Sequence, residues 1–226
     1  FRRVLFRSQS NLINIVLVDT IHPGNIGSVA RAMKTMGLSR LSLVNPRVFP
    51  SGDANALSGN ATDVLENAQI YTSIREAIKD STFVYATSSR DRSIQWPITD
   101  AVSAAKDIQN ETNNNKEISI IFGKEDRGLT NDELEHANRL IEIPANPKYP
   151  VLNLAMSVQI ISYEIFKTSS DNNLKEWRDY PEVNSEQLQM LIDHFIETAV
   201  EIDVIDPDNP KKIISRIKRM FTRLQP

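Results

Sequence analysis

The stretch "INIVLVDTIHPGNIGSVARAM", residues 13–33, passes from an apolar run through a turn into a helical pattern, and this change of period decides the fold class. Residues 13–18 are apolar almost throughout rather than alternating, the pattern of a strand buried on both faces. Beyond the turn, Ile26, Val29, Ala30 and Met33 share one helical stripe, which leaves Arg31 facing outward with Thr35, flanked by Gly27 and Lys34. The same alternation recurs along the chain. Strands are expected at 13–18, 41–44, 69–71, 83–88, 118–123 and 140–144, with helices at about 25–36, 61–67, 74–79, 100–109, 130–137 and 153–167. Strands alternating with helices imply an α/β fold, a parallel sheet covered on both faces. In such sheets ligands bind outside the carboxyl ends of the strands, so the loops that follow the strands are the ones to inspect.

The 226 residues suffice for one sizeable domain with a smaller appendage. Hydrophobic residues make up 40% and the net charge is -3, so affinity for nucleic acid has to come from a local patch. The absence of cysteine excludes disulfides, thiolate nucleophiles and Cys-ligated zinc, and fits a cytoplasmic location. No window approaches the roughly 20 apolar residues of a membrane span. Residues 1–10, "FRRVLFRSQS", are read as an artefact segment outside the fold rather than the start of a transit peptide. The first domain is expected over 11–167, a polar linker over 168–184, and a helical extension over 185–226 with helices at about 185–203 and 210–224. In the first of these helices Leu188, Leu191, Ile192, Phe195, Ile196 and Ala199 lie at helical spacing. Residues 211–226 carry Lys211, Lys212, Arg216, Lys218, Arg219 and Arg223 and no acid, either an RNA-facing helix or a solvated face.

Three post-strand loops carry the polar candidates. In the first, Asn25 is suited to cap the helix and Gly27 leaves its free N–H groups open to an anion; Arg31 is either a solvated helix arginine or a functional one. In the second, "IIFGKEDRGLTNDEL" (120–134), Glu125 stands just past a strand end, Gly128 allows a turn, and Thr130 with Glu133 forms a capping box. In the third, "IPANPKYPVLNLAMSVQIISYEIF" (143–166), an extended loop pressed between strand and helix leads to Asn153 as helix cap. Leu154, Val158, Ile161 and Ile165 form the buried stripe of that helix, with Asn153, Ser157 and Glu164 on another. Glycine fingerprints for dinucleotides, a P-loop and a G-x-S-x-G elbow are missing, and three scattered histidines give no metal pattern.

Taken together, "HPGNIGSVARAMKTMGLSRLSLVNP", "IIFGKEDRGLTNDEL" and "IPANPKYPVLNLAMSVQIISYE" resemble, in order and spacing, the three motifs of the SPOUT-class RNA 2'-O-ribose methyltransferases. The closest likeness is to the TrmJ type, which acts on cytidine or uridine at anticodon-loop nucleotide 32 of tRNA, and it covers about residues 12–224. Periodicity alone gives an unknotted doubly wound sheet, because threaded connections are nearly absent from proteins; the resemblance implies a C-terminal trefoil knot instead. It implies S-adenosylmethionine (SAM) held by Thr87, Ser88, Ser89, Gly123, Ile143, Val151, Leu152 and Asn153, with Asn25, Arg31, Glu125 and Asn153 as catalytic residues. Related sequences commonly carry Ser or Thr where Val151 stands. Arg31 would bind a phosphate of the RNA and orient the hydroxyl, since arginine is not normally a free base. Arg90, Arg92, Lys211, Lys212, Arg216 and Arg219 would contact the tRNA, with Trp96 on its rim or packed at an interface. A homodimer and no metal are implied, and related sequences continue by another helix past Pro226. A catalytically silent RNA-binding module of the same fold, a 2'-O-methyltransferase for another RNA site, and a nucleotide-dependent oxidoreductase are the competing readings, the last weakened by the missing glycine fingerprint.

Overall fold

A computed structural model describes residues 11–88, 96–169, 184–210 and 212–224. The chain divides into two compact units, Phe1–Asn172 and Asn173–Pro226. The first contains seven strands, all pairing in parallel: β1 (Ile13–Val18), β2 (Arg40–Val44), β3 (Gln69–Tyr71), β4 (Phe83–Thr87), β5 (Ile98–Asp100), β6 (Ile118–Phe122) and β7 (Arg139–Glu142). Around them lie helices α1 (Pro23–Thr35), α2 (Gly52–Ser58), α3 (Thr62–Glu66), α4 (Ile74–Ala77), α5 (Ala101–Asn113), α6 (Asn131–Leu134) and α7 (Leu154–Ser169).

The strand order is β3-β2-β1-β6-β4-β7-β5. β6 therefore enters between β1 and β4, with Ile118 paired to both Ile13 and Phe83, and β7 enters between β4 and β5. The central strands are buried on both faces. Ile13, Ile15 and Leu17 of β1 join a core with α1, α5 and α7, while Val16 and Val18 join a second core with Ile74, Leu134 and Leu140. The polar intruder Asn14 is satisfied: its amide donates to Ala77 O and Ser119 Oγ, both at 3.1 Å, and its oxygen accepts from Ser42 Oγ at 2.8 Å. A buried polar group with both ends bonded carries no desolvation penalty left uncompensated.

Six strands stand where the pattern places them. The apolar reading fails at the edges: β3 is mostly exposed, and so is β5, whose "ITD" holds a single apolar residue and so announces no strand. Helix α2 is likewise absent from the expected set, since "GDANALS" buries only Ala54 and Ser58 and so has no apolar stripe. The helix expected at 130–137 is a single turn opened by the predicted Thr130/Glu133 capping box. Helix α7 buries Leu154, Val158, Ile161 and Ile165, the predicted stripe, together with Ser162.

The second unit holds α8 (Ser185–Glu201) and α9 (Ile213–Leu224). Helix α8 starts at Ser185, as expected, and Asn184 caps it in a capping box with Gln187. Of the apolar stripe expected on α8, Ile192 and Ala199 are buried, whereas Leu191 and Phe195 are exposed, Phe195 meeting Phe221 edge-on at 5.3 Å.

Candidate active site

The carboxyl ends of three adjacent strands, β6, β4 and β7, open into one cavity. Thr87 and Ser88 close it from β4, Phe122 and Gly123 from β6, Ile141 and Ile143 from β7, and Val151, Leu152, Leu154 and Ser157 from the loop and helix that follow. Its inner wall is apolar, with Phe122, Leu129, Ile141 and Leu154 all buried, and its rim is polar, with Lys124, Asp126 and Arg127. Gly123 permits this shape because a Cβ there would stand 2.3 Å from the Gly128 carbonyl carbon and 2.4 Å from Leu129 N. The loop 123–129 folds back on itself through a bridge between Lys124 and Gly128.

The first loop is built differently from the expectation. Asn25 does not cap α1: His22 takes the N-cap position without a side-chain bond, and Pro23 follows at the start, where its missing N–H is no loss. The anion at this helix N-terminus is the protein's own. Glu125, arriving from the β6 loop, accepts from Ile21 N (2.9 Å), His22 N (3.1 Å) and the Asn25 amide (2.9 Å). Burial raises the Glu125 carboxyl, but the Ile21 N–H, the Asn25 amide and the further backbone donors outweigh it and hold the group below its ordinary range. The Asn25 oxygen accepts in turn from Asn153 Nδ2 at 3.3 Å. Glu125 and Asn153, which lie 100 and 128 positions from Asn25 in sequence, thus form one chain of hydrogen bonds through it.

Asn153 caps α7 as expected, accepting from Ala155 N at 2.9 Å. It lies off the cavity wall that Val151 and Leu152 help to form. Gly27 is not an anion port: a Cβ there would meet the Ala54 carbonyl oxygen at 2.1 Å, so the glycine serves the packing of α2 on α1. The 143–153 loop is not pressed into the fold either. Tyr149 is 79% and Val151 60% exposed, and an Asn146 turn shapes it, with Lys148 N donating to Asn146 Oδ1 at 3.0 Å and Tyr149 N to Asn146 O at 2.8 Å.

Arg31 is exposed on α1, and among the described residues its guanidinium has no hydrogen-bond or ion-pair partner. Trp96 is half-buried against the second core of the sheet. Ser89, Arg90, Arg92 and Lys211 lie outside the described residues; Lys212, Arg216 and Arg219 are exposed in the second unit. Sequence reasoning did not single out Arg127, whose guanidinium pairs with Asp19 at 3.1 Å and Glu133 at 3.5 Å and so fastens the β6 loop from its far side. Its place between Gly123 and Gly128 in a charged loop was the available signal. Among the described residues no helix is long and apolar enough to cross a membrane, and no cluster of His, Asp and Glu could hold a metal ion.

Residues 12–163 match the model of the SpoU rRNA methylase family, and residues 186–226 match the C-terminal domain of the tRNA methyltransferase TrmJ. The chain is 38% identical over 221 residues to the tRNA (cytidine/uridine/adenosine-2'-O-)-methyltransferase TrmJ of Pseudomonas aeruginosa, covering 93% of this chain and 86% of that one. It is 40% identical over 218 residues to the tRNA (cytidine/uridine-2'-O-)-methyltransferase TrmJ of Salmonella choleraesuis, covering 95% and 89%. The crystal structure of TrmJ from Z. mobilis superposes with a TM-score of 0.75 at 30% identity, over 94% of this chain and 91% of the other. With its three loops joined by one chain of hydrogen bonds and both of its segments matched, the chain belongs to the SpoU methylase family, in the TrmJ branch.

Proposed function

We propose that this protein methylates a ribose 2'-hydroxyl in the anticodon loop of tRNA, at cytidine or uridine 32, with SAM as donor. The observation that carries the reading is the hydrogen-bonded chain Glu125–Asn25–Asn153, which joins the loops after β1, β6 and β7 beside one cavity. That cavity suits SAM: an apolar inner wall accepts a purine face, and the hydroxyls of Thr87 and Ser88 with loop backbone groups supply a polar edge. When bound, SAM supplies a methyl group already activated by its sulfonium.

The protein's own residues have two tasks. A ribose hydroxyl is a weak nucleophile, so it has to be held in line and relieved of its proton. Arg31, whose guanidinium has no partner among the described residues, binds the adjoining phosphate and polarises the hydroxyl, and the phosphate or a water accepts the proton. Glu125 fixes the turn that starts α1, the helix carrying Arg31, while Asn25 and Asn153 fix the loop that closes the cavity. Ser89, Gly123, Ile143, Val151 and Leu152 complete the donor site; Arg90, Arg92, Lys211, Lys212, Arg216 and Arg219 hold the tRNA backbone. The protein acts as a cytoplasmic homodimer with the trefoil knot of its family, a topology supported by the late entry of β6 and β7 between earlier strands.

Incubation with methyl-labelled SAM and unmodified tRNA tests the proposal, with label expected on a 2'-oxygen at position 32. Label on a base, or none from a protein that binds both partners, overturns it. Arg31→Ala is expected to cut transfer by about 10³-fold with the SAM Kd within about twofold; a matching loss of SAM affinity by calorimetry would remove Arg31 from the RNA side.

A further inference from the structure

Along α1 the residues Gly24, Gly27, Arg31 and Lys34 lie at spacings of three, four and three, on one line of the helix surface. The segment 54–63 is laid along that line, and each of the four meets it. A Cβ at Gly24 would stand 2.7 Å from Leu57 Cδ1, and one at Gly27 would stand 2.1 Å from the Ala54 carbonyl oxygen. At the other end Lys34 Nζ donates to Asn60 O and to Asp63 Oδ1, both at 2.7 Å. Arg31 sits between these two attachments, and its Cδ lies 4.0 Å from the point where a Cβ of Gly59 would stand. The aliphatic stem therefore rests over the bare backbone of the corner between α2 and α3, while the guanidinium beyond it has no partner among the described residues.

Gly59 has φ 56° and ψ -125°, the mirror image of the β region, which glycine enters freely and L residues do not. A side chain there changes both the surface beneath the stem and the path of the corner that provides it. We propose that the Gly59 corner is a positioning element for Arg31: it holds the arginine stem so that the guanidinium is presented, already oriented, to a phosphodiester of the RNA. This rests on the function proposed above. A long cationic side chain loses rotamer freedom when it grips a ligand, and a stem seated beforehand has less to lose. The corner touches no substrate, so its contribution is visible only through Arg31.

A double-mutant cycle on the full chain isolates that dependence. Gly59→Ala is expected to weaken tRNA binding about fivefold and lower kcat about tenfold, with the SAM Kd within about twofold of the parent. Gly59→Ala combined with Arg31→Ala should bind tRNA no more weakly than Arg31→Ala alone. Losses that add in the double variant overturn the proposal. So does an equal loss of tRNA affinity in Ile108→Val, a buried change in α5 with no place in the site, compared at equal distance from the unfolding midpoint. A parent protein that binds tRNA but transfers no methyl group would defeat the methylation reading and leave the binding cycle decisive for the corner; one that binds no tRNA defeats both.

Discussion

The two walls of the cavity are built to different standards. The β6 loop is fastened at every turn: Glu125 to the start of α1, Arg127 to Asp19 and Glu133, Thr130 and Glu133 to one another, and Gly123 against the backbone of Gly128 and Leu129. The β7 loop opposite is shaped by Asn146 and anchored at its far end by Asn153, and between them Tyr149 and Val151 stand in solvent. Segments with few buried contacts and solvent-exposed backbone bonds open at low cost. One wall is thus fixed by bonds along its length, and the other is held chiefly by Asn146 and Asn153, with exposed side chains between them.

Changes to the fastened wall should damage the fold, and changes to the open wall only the affinity. The largest effect is expected from Gly123→Ala, whose Cβ has backbone, not a yielding side chain, at 2.3 Å. Its cost of about 3 kcal/mol should lower the Tm by roughly 6–12 °C, and a normal melting curve with normal SAM binding would show that the loop tolerates widening. Glu125→Gln comes next, with an expected loss of about 1 kcal/mol after allowance for its partial exposure. Here pH supplies the signature. The folded carboxyl is held below its ordinary value of 4.5, so acid favours the unfolded chain. The advantage of the parent over Glu125→Gln is complete above about pH 4.5 and disappears as pH falls through the lower, folded-state value; a difference that persists in strong acid would mean the carboxylate is not what holds the turn. Val151→Ala should do least, shifting the Tm by under about 2 °C and weakening SAM by less than about tenfold. A larger loss of stability there would erase the contrast between the walls.

How far the sequence could be read follows from the same contrast. The central strands and the stripes of α1 and α7 were legible because burial imposes a period on neighbouring residues. Asn25, Glu125 and Asn153 were named as site residues, yet their partners were not foreseeable, since a carboxylate that caps a helix from a hundred residues away leaves no local spacing. For the same reason local spacing reads Asn25 as a cap and Gly27 as an anion port. Helix α2, with two buried residues, was invisible for the opposite reason: it is held by the glycines of α1 rather than by its own apolar face. The exposure of Leu191 and Phe195 on α8 belongs to the same lesson, for a stripe records what a helix can bury and not whether a partner covers it.

The central place of β6 has a consequence for how the chain is made. β1 and β4 never touch each other; each pairs with β6, whose first residue is 105 positions beyond that of β1. A nascent chain that has emerged only as far as α5 therefore holds β1–β3 as one patch of sheet and β4 without either of its neighbours. The two stay unjoined until "ISIIF" leaves the ribosome and slots between them as a keystone. Pairing over such separations is slow, so the apolar edges of β1 and β4 stand open for that interval. A chain arrested at Lys116 should for this reason be insoluble or degraded, while one extended past Phe122 gains the strand that joins β1 to β4.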